Sequence, residues 1–304
     1  MKVLTDNDIE ALGIAPRQCV EWAERSLLSK PNADLPPKTW QHFPNDVFVN
    51  TMPCYVPEIN RYGVKVVTRH PGLHPALKSK ILLVDMANGD CLACMDGNWI
   101  TAMRTGAVAA LAGKTFVNNY ESAAFGFVGL GNMAHSTMKC LCSLLDRPHD
   151  IWLLRYKNQA EEFAAAFANE PNVKFHFTDS REELVSRTQA LYSCVTVMNE
   201  QFLPASDYPQ GYTLIPVHMR GFQDCDVVFD RIFGDDTGHL RCFQHFNEFK
   251  AFAEFTDVLS GKAVGRQSAE ERIISYNIGL GLHDVWFASN IFDIMTGAGN
   301  NERN

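Results

Sequence analysis

Residues 126–136 read GFVGLGNMAHS, and this stretch decides the fold that the sequence predicts. Gly129, Gly131 and Ala134 form a G-x-G-x-x-A pattern between an apolar, strand-like run and a helix-like segment. In a dinucleotide-binding turn the first glycine allows the sharp bend, and the second lets a pyrophosphate approach the N–H groups that begin the helix. The alanine keeps that helix close to the sheet. The alternative interpretation is a purely structural strand-to-helix turn.

The segments around these glycines alternate between strand and helix signals. The strand-like runs AAFGFVG, DIWLLR, VKFHF and ALYSCVTV are separated by helix-like runs such as NMAHSTMKCLCSLL and NQAEEFAAAFAN. This alternation predicts right-handed βαβ crossovers and a doubly wound parallel sheet of the Rossmann type. Further strands are predicted at TLIPV and DVVFD, and the stretch from AEERIIS to IFDIM predicts a final amphipathic helix.

The first hundred residues predict a different, α+β arrangement. A helix-like segment, DNDIEALGIAPRQCVEWAERSLLS, precedes the strand candidates VFVNTM, YGVKVVTRH, SKILLVD and CLACMD. An Ala-rich helix capped by Thr101 follows them. We therefore predict an α/β protein of two domains: residues 1–118 with 270–304, in which the C-terminal helix completes the α+β domain, and a Rossmann domain over 119–269.

The composition narrows the classes of partner and location. The net charge of −8 gives no reason to expect nucleic acid or an anionic membrane as a partner. No apolar window approaches the length of a bilayer span, and the N-terminus lacks the core of a signal peptide, so a cytoplasmic protein is expected. Cys91 and Cys94 form a C-x-x-C pair without a second pair at zinc spacing, which favours buried thiols and no metal site.

The end of the second Rossmann strand carries information about the dinucleotide. An NAD site usually has an Asp or Glu at this position, which binds the adenosine ribose. This chain has Arg155, Tyr156 and Lys157 instead, and basic residues suit a 2′-phosphate. NADP(H) is therefore favoured over NAD(H), unless Arg155 and Lys157 are merely solvated residues at the start of the next helix.

Two basic residues precede the glycine motif. Lys65 lies between valines in YGVKVVTRH, so it either occupies a solvated strand face or is held for chemistry with a lowered pKa. Arg104 lies one turn into the Ala-rich helix, where a guanidinium suits a carboxylate or a phosphate. The alternative for Arg104 is an ordinary surface arginine.

Together these segments carry a resemblance to a known family. MPCY, YGVKVV, NGDCLACMDGNWITAMRTGAVAAL and GFVGLGNMA, in this order and spacing, resemble the ornithine cyclodeaminase/mu-crystallin family, and the closing SYNIGLGLHD resembles its last helix. The resemblance implies a homodimer in which an α+β domain binds the substrate and forms the dimer, and a Rossmann domain binds NAD(P). It also implies chemistry at the C–N bond of a small α-amino or imino acid.

The resemblance assigns roles to individual positions. Lys65 matches a lysine that meets the substrate near the reacting carbon, Arg104 matches an arginine that grips the substrate carboxylate, and Lys38 falls near a second carboxylate-binding arginine. The remaining matched positions lie along the cofactor in the family: Asn132, Met133, Arg155, Thr196, Val217 and Asn277.

The chain departs from the cyclodeaminase pattern after TLIPV. The loop reads HMRGFQDCD, with Arg220 roughly where cyclodeaminases carry an aspartate, and His218 and Asp224 are the nearby candidates for proton transfer. The family label implies cyclodeaminase-like hydride exchange at the α-carbon through an imine. The alternatives are a ketimine reductase or amino-acid dehydrogenase that consumes the cofactor, and a non-catalytic NADP(H)-dependent binding protein. The sequence does not identify the substrate side chain.

Overall fold

The computed structural model describes residues 1–196 and 198–298. The chain divides into two compact units: the first comprises Met1–Arg104 and the described residues from Leu280 onward, and the second comprises Thr105–Gly279. The sequence predicts domain boundaries at 118/119 and 269/270. The observed units divide at 104/105, inside one continuous helix, and at 279/280, because a strand of the second unit occupies the region after 270.

The first unit contains a mixed sheet and helices that pack on it. Its strands within the described residues are β1 (Lys2–Leu4), β2 (Thr39–Phe43), β3 (Val47–Val56), β4 (Arg61–Arg69), β5 (Leu77–Asp85) and β6 (Cys91–Asp96). Its helices are α1 (Asp6–Glu10), α2 (Pro16–Ser29), the start of α3 (Asn98–Phe116) and α10 (Gly281–Thr296). The strand order is β1-β6-β5-β4-β3-β2, antiparallel except for the β1–β6 pair.

One face of this sheet is buried beneath α10. In β3 and β4 the residues alternate between the two faces, and the buried face includes Met52, Cys54, Gly63 and Lys65. The helix α10 packs against β3, β4 and β5 and against α2. Its residues Gly281–Ser289 are all buried, so this helix fills the core of the first unit.

The second unit is an α/β sheet. Its strands are β7 (Phe125–Val128), β8 (His149–Leu154), β9 (Val173–Thr178), β10 (Ala190–Ser193), β11 (Thr213–Pro216), β12 (Arg231–Gly234), β13 (Phe252–Glu254) and β14 (Ile273–Tyr276). The α-helices after α3 are α4 (Asn132–Cys142), α5 (Gln159–Ala166), α6 (Arg181–Ser186), α7 (Gln223–Val228), α8 (Thr237–Leu240) and α9 (Phe255–Leu259).

The strand order confirms the predicted Rossmann topology. The order is β13-β12-β14-β11-β10-β7-β8-β9, and every pairing between these strands is parallel. The portion β9-β8-β7-β10-β11-β14 reproduces the doubly wound order: the chain adds strands on one side of β7 and then, from β10 onward, on its other side. The glycine motif follows β7, so it lies at this switch point, where open α/β sheets bind their ligands.

Two predictions of secondary structure near the C-terminus were wrong. The run DVVFD is not a strand: Gln223–Val228 forms α7, which buries Cys225 and Asp226, and the N–H of the following Phe229 donates to the Cys225 carbonyl oxygen. The predicted final helix is interrupted, because Ile273–Tyr276 forms β14 between β11 and β12 and is buried on both faces. A fully buried parallel strand is a continuous apolar run, which periodicity does not distinguish from a buried helix.

Two helix boundaries near the N-terminus also differ from the prediction. The first helical segment is broken into α1 and α2 around Gly13, whose φ is +63°, and Pro16 then begins α2. The Ala-rich helix begins at Asn98, before Thr101. The carboxylate of Asp6 accepts a hydrogen bond from the Trp99 N–H, so the cap comes from a residue far away in sequence.

No helix among the described residues is both long and apolar enough to cross a bilayer. All nine cysteines are free thiols. Over residues 1–196 and 198–298, no group of three or more His, Cys, Asp and Glu side chains is arranged to hold a metal ion.

Candidate active site

Lys65 lies on the buried face of β4, in contact with a carboxylate. Its Nζ is 2.6 Å from Oδ2 of Asp284 on α10, and the two side chains are 1% and 0% exposed. The structure thus excludes the first of the two interpretations of Lys65, a residue on a solvated strand face, and its valine neighbours Val64 and Val66 occupy the more exposed face. Burial lowers the pKa of Lys65 to about 8, against the opposing effect of Asp284. A lysine in this range can give or accept a proton near neutral pH.

Arg104 approaches the same carboxylate from α3. Its Nε is 3.5 Å from Oδ1 of Asp284, and among the described residues it has no hydrogen-bond partner. The side chain is 7% exposed, so the interpretation of Arg104 as an ordinary surface arginine was wrong. A buried guanidinium with unfilled donor positions is costly unless an anion completes its contacts. Two cations facing one carboxylate therefore favour the binding of a further anion.

Lys38 contributes to the same electrostatic environment. It precedes β2, is half-buried, and places its Nζ 5.5 Å from the centre of the Trp40 ring. Its charge is among the influences that lower the pKa of Lys65, together with that of Arg104. The structure therefore brings the three predicted substrate residues of the first unit into one electrostatically coupled group.

The glycine motif of the second unit has the geometry of a nucleotide-binding turn. Gly129 has a φ of +77°, and a Cβ there would lie 2.5 Å from the backbone N of Val195, so a side chain is excluded. A Cβ on Gly131 would meet no atom of the described residues within 4 Å. Gly131 is also the N-cap of α4, whose first N–H groups have no side-chain cap. This open, uncapped helix start fits a pyrophosphate.

The other predicted cofactor residues follow the carboxyl ends of the parallel strands. Asn132 and Met133 begin α4, and Ala134 is fully buried beneath the turn. Beyond the ends of β10, β11 and β14 lie the exposed Thr196, the half-buried Val217 and the buried Asn277.

Asn277 is held in place while one of its side-chain atoms stays available. Its backbone N–H donates to the Pro216 carbonyl oxygen at 3.1 Å, and its Nδ2 donates to the Ser275 carbonyl oxygen. Its buried Oδ1 has no hydrogen-bond partner in the described part of the chain. An acceptor of this kind fits a donor on a bound ligand, such as an amide N–H.

Arg155 is paired with two acids that the sequence did not place beside it. Its Nε lies 2.8 Å from Oε1 of Glu161, and one terminal nitrogen lies 3.3 Å from Oδ2 of Asp179. The guanidinium also stacks on the Phe177 ring, with 5.2 Å between its central carbon and the ring centre. Lys157 is exposed, has a φ of +53°, and lies over the Tyr156 ring.

His218 and Asp224 have different environments. The Nε2 of His218 is 2.6 Å from Oγ of Ser193. Burial lowers the pKa of His218 to about 4, partly offset by a hydrogen bond to the backbone of Arg220, so the imidazole is uncharged at neutral pH. Asp224 is exposed in the first turn of α7, and no hydrogen bond in the described chain joins it to His218. The charged form of His218, which could donate a proton, is therefore not populated near pH 7.

Asp284 was missed by the sequence predictions. It ends the stretch SYNIGLGLHD, which resembles the family's last helix, although the resemblance did not assign this residue a role. The available signal is an acidic residue directly before the apolar run VWFA. Such a carboxylate is almost never fully buried without a cationic partner, and neither cation is near it in sequence.

Comparisons with known proteins agree with this geometry. A model of the "Ornithine cyclodeaminase/mu-crystallin family" matches residues 1–205. This chain belongs to that family. The predicted family membership is therefore confirmed.

Two relatives match most of the chain. The nodulation efficiency protein NfeD of Rhizobium meliloti is 25% identical over 275 residues, covering 85% of this chain and 83% of its own. A Delta(1)-pyrroline-2-carboxylate reductase of Bacillus cereus is 24% identical over 273 residues, covering 82% of each chain.

Solved structures with the same fold match almost the full length. The Thermococcus litoralis Delta(1)-pyrroline-2-carboxylate reductase in complex with NADH and L-proline has a TM-score of 0.84 at 23% identity, covering 98% of both chains. An archaeal alanine dehydrogenase dimer with bound NAD has a TM-score of 0.81 at 20% identity, covering 98% of this chain and 97% of its own. The predicted fold class is confirmed, as is the chemistry predicted for the family: nicotinamide-dependent reactions at the C–N bond of small α-amino or imino acids.

Proposed function

We propose that this protein is a nicotinamide-dependent reductase of a small α-imino acid, and that the hydride it transfers ends on the substrate with net consumption of the reduced cofactor. The observation that carries the proposal is the buried group of Lys65, Arg104 and Asp284 in the first unit. Two cations against one carboxylate leave a positive charge that a substrate carboxylate compensates. Lys65, with its pKa lowered to about 8, supplies an acid of suitable strength.

In this proposal each side chain has one task. Arg104 binds the substrate carboxylate, with support from Lys38, and thereby orients the α-carbon. Lys65 donates a proton from Nζ to the imine nitrogen as the C=N bond becomes a C–N single bond. Gly129, Gly131 and the start of α4 would hold the pyrophosphate of a nicotinamide dinucleotide, which when bound would supply the hydride.

Reductases among the relatives support this direction over a cyclodeaminase. The Bacillus cereus relative is named a pyrroline-2-carboxylate reductase, and a rat ketimine reductase mu-crystallin is 31% identical over 160 residues, about half of each chain. A cyclodeaminase returns the hydride, and in such enzymes an aspartate assists ring closure. Here Arg220 stands roughly at that position and His218 is uncharged.

One assay separates these activities. The purified protein is incubated with NADPH or NADH and a panel of cyclic and open α-imino acids, pyruvate with ammonia, and ornithine. Steady loss of nicotinamide absorbance with an imino acid supports the reductase. Ammonia release from ornithine without net absorbance change supports a cyclodeaminase. Ligand binding with no turnover in any arm supports a binding protein and overturns the proposal.

We also propose NADP(H) as the preferred cofactor. Arg155 and Lys157 offer positive charge at the end of β8, and a phosphate can form a bidentate pair with a guanidinium. Glu161 and Asp179 already contact Arg155, but surface pairs of this kind exchange easily because water and salt screen them. The ratio of kcat/KM values for NADPH and NADH tests this preference.

A homodimer and a cytoplasmic location complete the proposal. The face of the first sheet opposite Lys65 presents an apolar row across four strands, Pro53, Val64, Leu82 and Cys94, which are paired in register. Each is only half-buried within the chain, and a second copy is the occupant proposed for this face. Sedimentation equilibrium of the wild type and of Val64→Lys tests it: the wild type should be dimeric, and the added charge should weaken the dimer.

A further inference from the structure

Asp284 is a fully buried acid, and its two ion pairs among the described residues are with side chains proposed to handle the substrate. Among the described residues, it is the carboxylate that lies within ion-pair distance of Lys65 and of Arg104. The proposed roles of these two cations, proton donation and carboxylate binding, do not by themselves require a resident acid. The presence of Asp284 therefore needs an explanation of its own.

The packing of α10 fixes the position of Asp284. A Cβ on Gly281 would lie 3.0 Å from the Met52 carbonyl oxygen, so the start of α10 lies directly on the backbone of β3. A Cβ on Gly63 would lie 2.7 Å from a methyl carbon of Val285, so α10 also packs directly against the backbone of β4. These two glycines place the first turns of α10 against the strand that carries Lys65. The N-terminal end of a helix also stabilises a carboxylate.

We infer that Asp284 is a positioning residue, which holds the Lys65 ammonium in one orientation and keeps it charged for donation to the imine nitrogen. This inference rests on the proposed reductase function. It concerns an acid that never receives the transferred proton and never touches the substrate. Asp284 acts through Lys65, and more weakly through Arg104.

The electrostatic surroundings show why such a partner is needed. Burial, Arg104 and Lys38 all lower the pKa of Lys65, and Asp284 is the influence that raises it. Within the described part of the chain, Asp284 is the acid whose charge acts on Lys65, and the neighbouring thiol of Cys54 stays neutral near pH 7. Burial raises the pKa of the Cys54 thiol to about 12, with help from Asp34 and Asp284.

His283, the neighbour of Asp284 on α10, is also uncharged. Burial, followed by the charges of Arg104, Lys65 and Lys30, holds its pKa well below the ordinary value. Its Nδ1 is 2.6 Å from Oγ of Ser26. Without Asp284, Lys65 would therefore lie among cations and neutral groups, and its neutral form would be favoured.

The proton balance of the step shows what depends on this charge. Lys65 Nζ loses one proton to the imine nitrogen while the α-carbon takes up the hydride, so C=N becomes H–C–N–H. Lys65 then regains a proton from solvent before the next turnover. If Lys65 were already neutral at the working pH, no proton would be available from it, and the rate would fall.

The test is the pH profile of Asp284→Asn. In the wild type, kcat/KM for imine reduction should decrease above about pH 8, as Lys65 loses its proton. In Asp284→Asn this alkaline limb should move to lower pH by about one to three units, because an opposite charge at this distance shifts a pKa by that amount. Asp293→Asn is the matched control: it removes an acid of the same helix that lies 4.0 Å from Arg61, and it should leave the limb in place.

An Asp284→Asn protein that folds and keeps the wild-type pH limb, with only a lower kcat, overturns the inference. If Asp284→Asn does not fold, the double variant Lys65→Met/Asp284→Asn decides. Recovery of folding in the double variant supports the pairing, since it removes the unpaired ammonium as well. A double variant that still does not fold overturns the inference.

A failed reductase assay would overturn the proposed function, but the effect of Asp284 on the charge of Lys65 could still be measured. Urea unfolding of the wild type and Asp284→Asn between about pH 6 and 9 then reports on Lys65 directly. If Asp284 keeps Lys65 charged, the destabilisation by Asp284→Asn should shrink as the pH rises toward 8, because only the variant releases the proton there. A destabilisation that does not change with pH overturns the inference.

Discussion

Each unit of this protein contains basic side chains facing carboxylates, and the two groups differ mainly in burial. In the first unit Lys65 and Arg104 face Asp284, and their side chains are at most 7% exposed. In the second unit Arg155 faces Glu161 and Asp179, with side chains 38%, 51% and 79% exposed. The contact distances overlap, so distance alone does not separate a proposed catalytic group from a surface ion pair.

Burial changes what each group can do. A charge without water depends on its fixed partners, so removing one partner shifts the pKa or the stability of the others. A charge in water is solvated whether or not its partner is present, and salt screens the pair. We therefore expect large, specific effects from substitutions in the first group and small, exchangeable effects in the second.

The largest difference is expected in activity. Lys65→Met should lower kcat for imine reduction by about 10²–10⁴-fold, the usual contribution of a positioned acid. The comparison variant Arg155→Met should keep kcat near the wild-type value and change only KM for the cofactor. Steady-state kinetics with saturating imino acid measures both. Equal kcat values in the wild type and Lys65→Met would remove Lys65 from the proposed mechanism.

The next largest effect is expected in stability. Lys65→Met or Asp284→Asn alone leaves a buried charge without its main partner, which costs about 3–5 kcal/mol of unfolding free energy. The double variant should be more stable than either single variant, because both charges are gone. Glu161→Gln should change stability little, since solvent screens its pair with Arg155. Urea unfolding measures all four proteins, and additive single costs would contradict a coupled pair.

A smaller, pH-dependent effect distinguishes the groups further. The pKa of Lys65 is about 8 in the folded protein, against an ordinary lysine pKa of 10.5. Between these values the unfolded state binds more protons, so the contribution of Lys65 to the unfolding free energy should rise with pH. Below pH 8 Lys65 is charged in both states, so the full cost of burying that charge lowers the unfolding free energy. The measurement is the unfolding free energy of the wild type as a function of pH, minus that of Lys65→Met/Asp284→Asn. Buried thiols such as Cys54 have raised pKa values and make the unfolding free energy fall with pH, and the subtraction removes their contribution.

The smallest effect is expected at the surface pair. Glu161→Gln and Asp179→Asn each release part of the Arg155 guanidinium for a 2′-phosphate, so the preference for NADPH over NADH should rise severalfold. Added salt should reduce this gain, because screening weakens exposed charges. The ratio of kcat/KM values at low and high ionic strength measures it. A preference for NADH in all three proteins would contradict the proposed cofactor.

Much of the second unit was predictable because its signals are local. Gly129 must be a glycine because its φ is +77° and a side chain there would strike the backbone of Val195, and strands alternating with helices imply a parallel sheet. The errors in this unit occurred where an apolar run has no distinguishing period. Ile273–Tyr276 became a central strand through its pairing with β11 and β12, which no local pattern specifies.

The first unit illustrates the opposite case. The amino-acid sequence by itself determined that Lys65 and Arg104 are present in a family-like order, and that a dinucleotide turn follows them. Only the tertiary structure decided that Lys65 points into the core while Val64 and Val66 point away from it, because strand alternation does not say which face α10 will cover. It also decided the partner of Lys65. Asp284 lies more than two hundred residues away in sequence, and only the packing of α10 on β3 and β4 brings the two charges together.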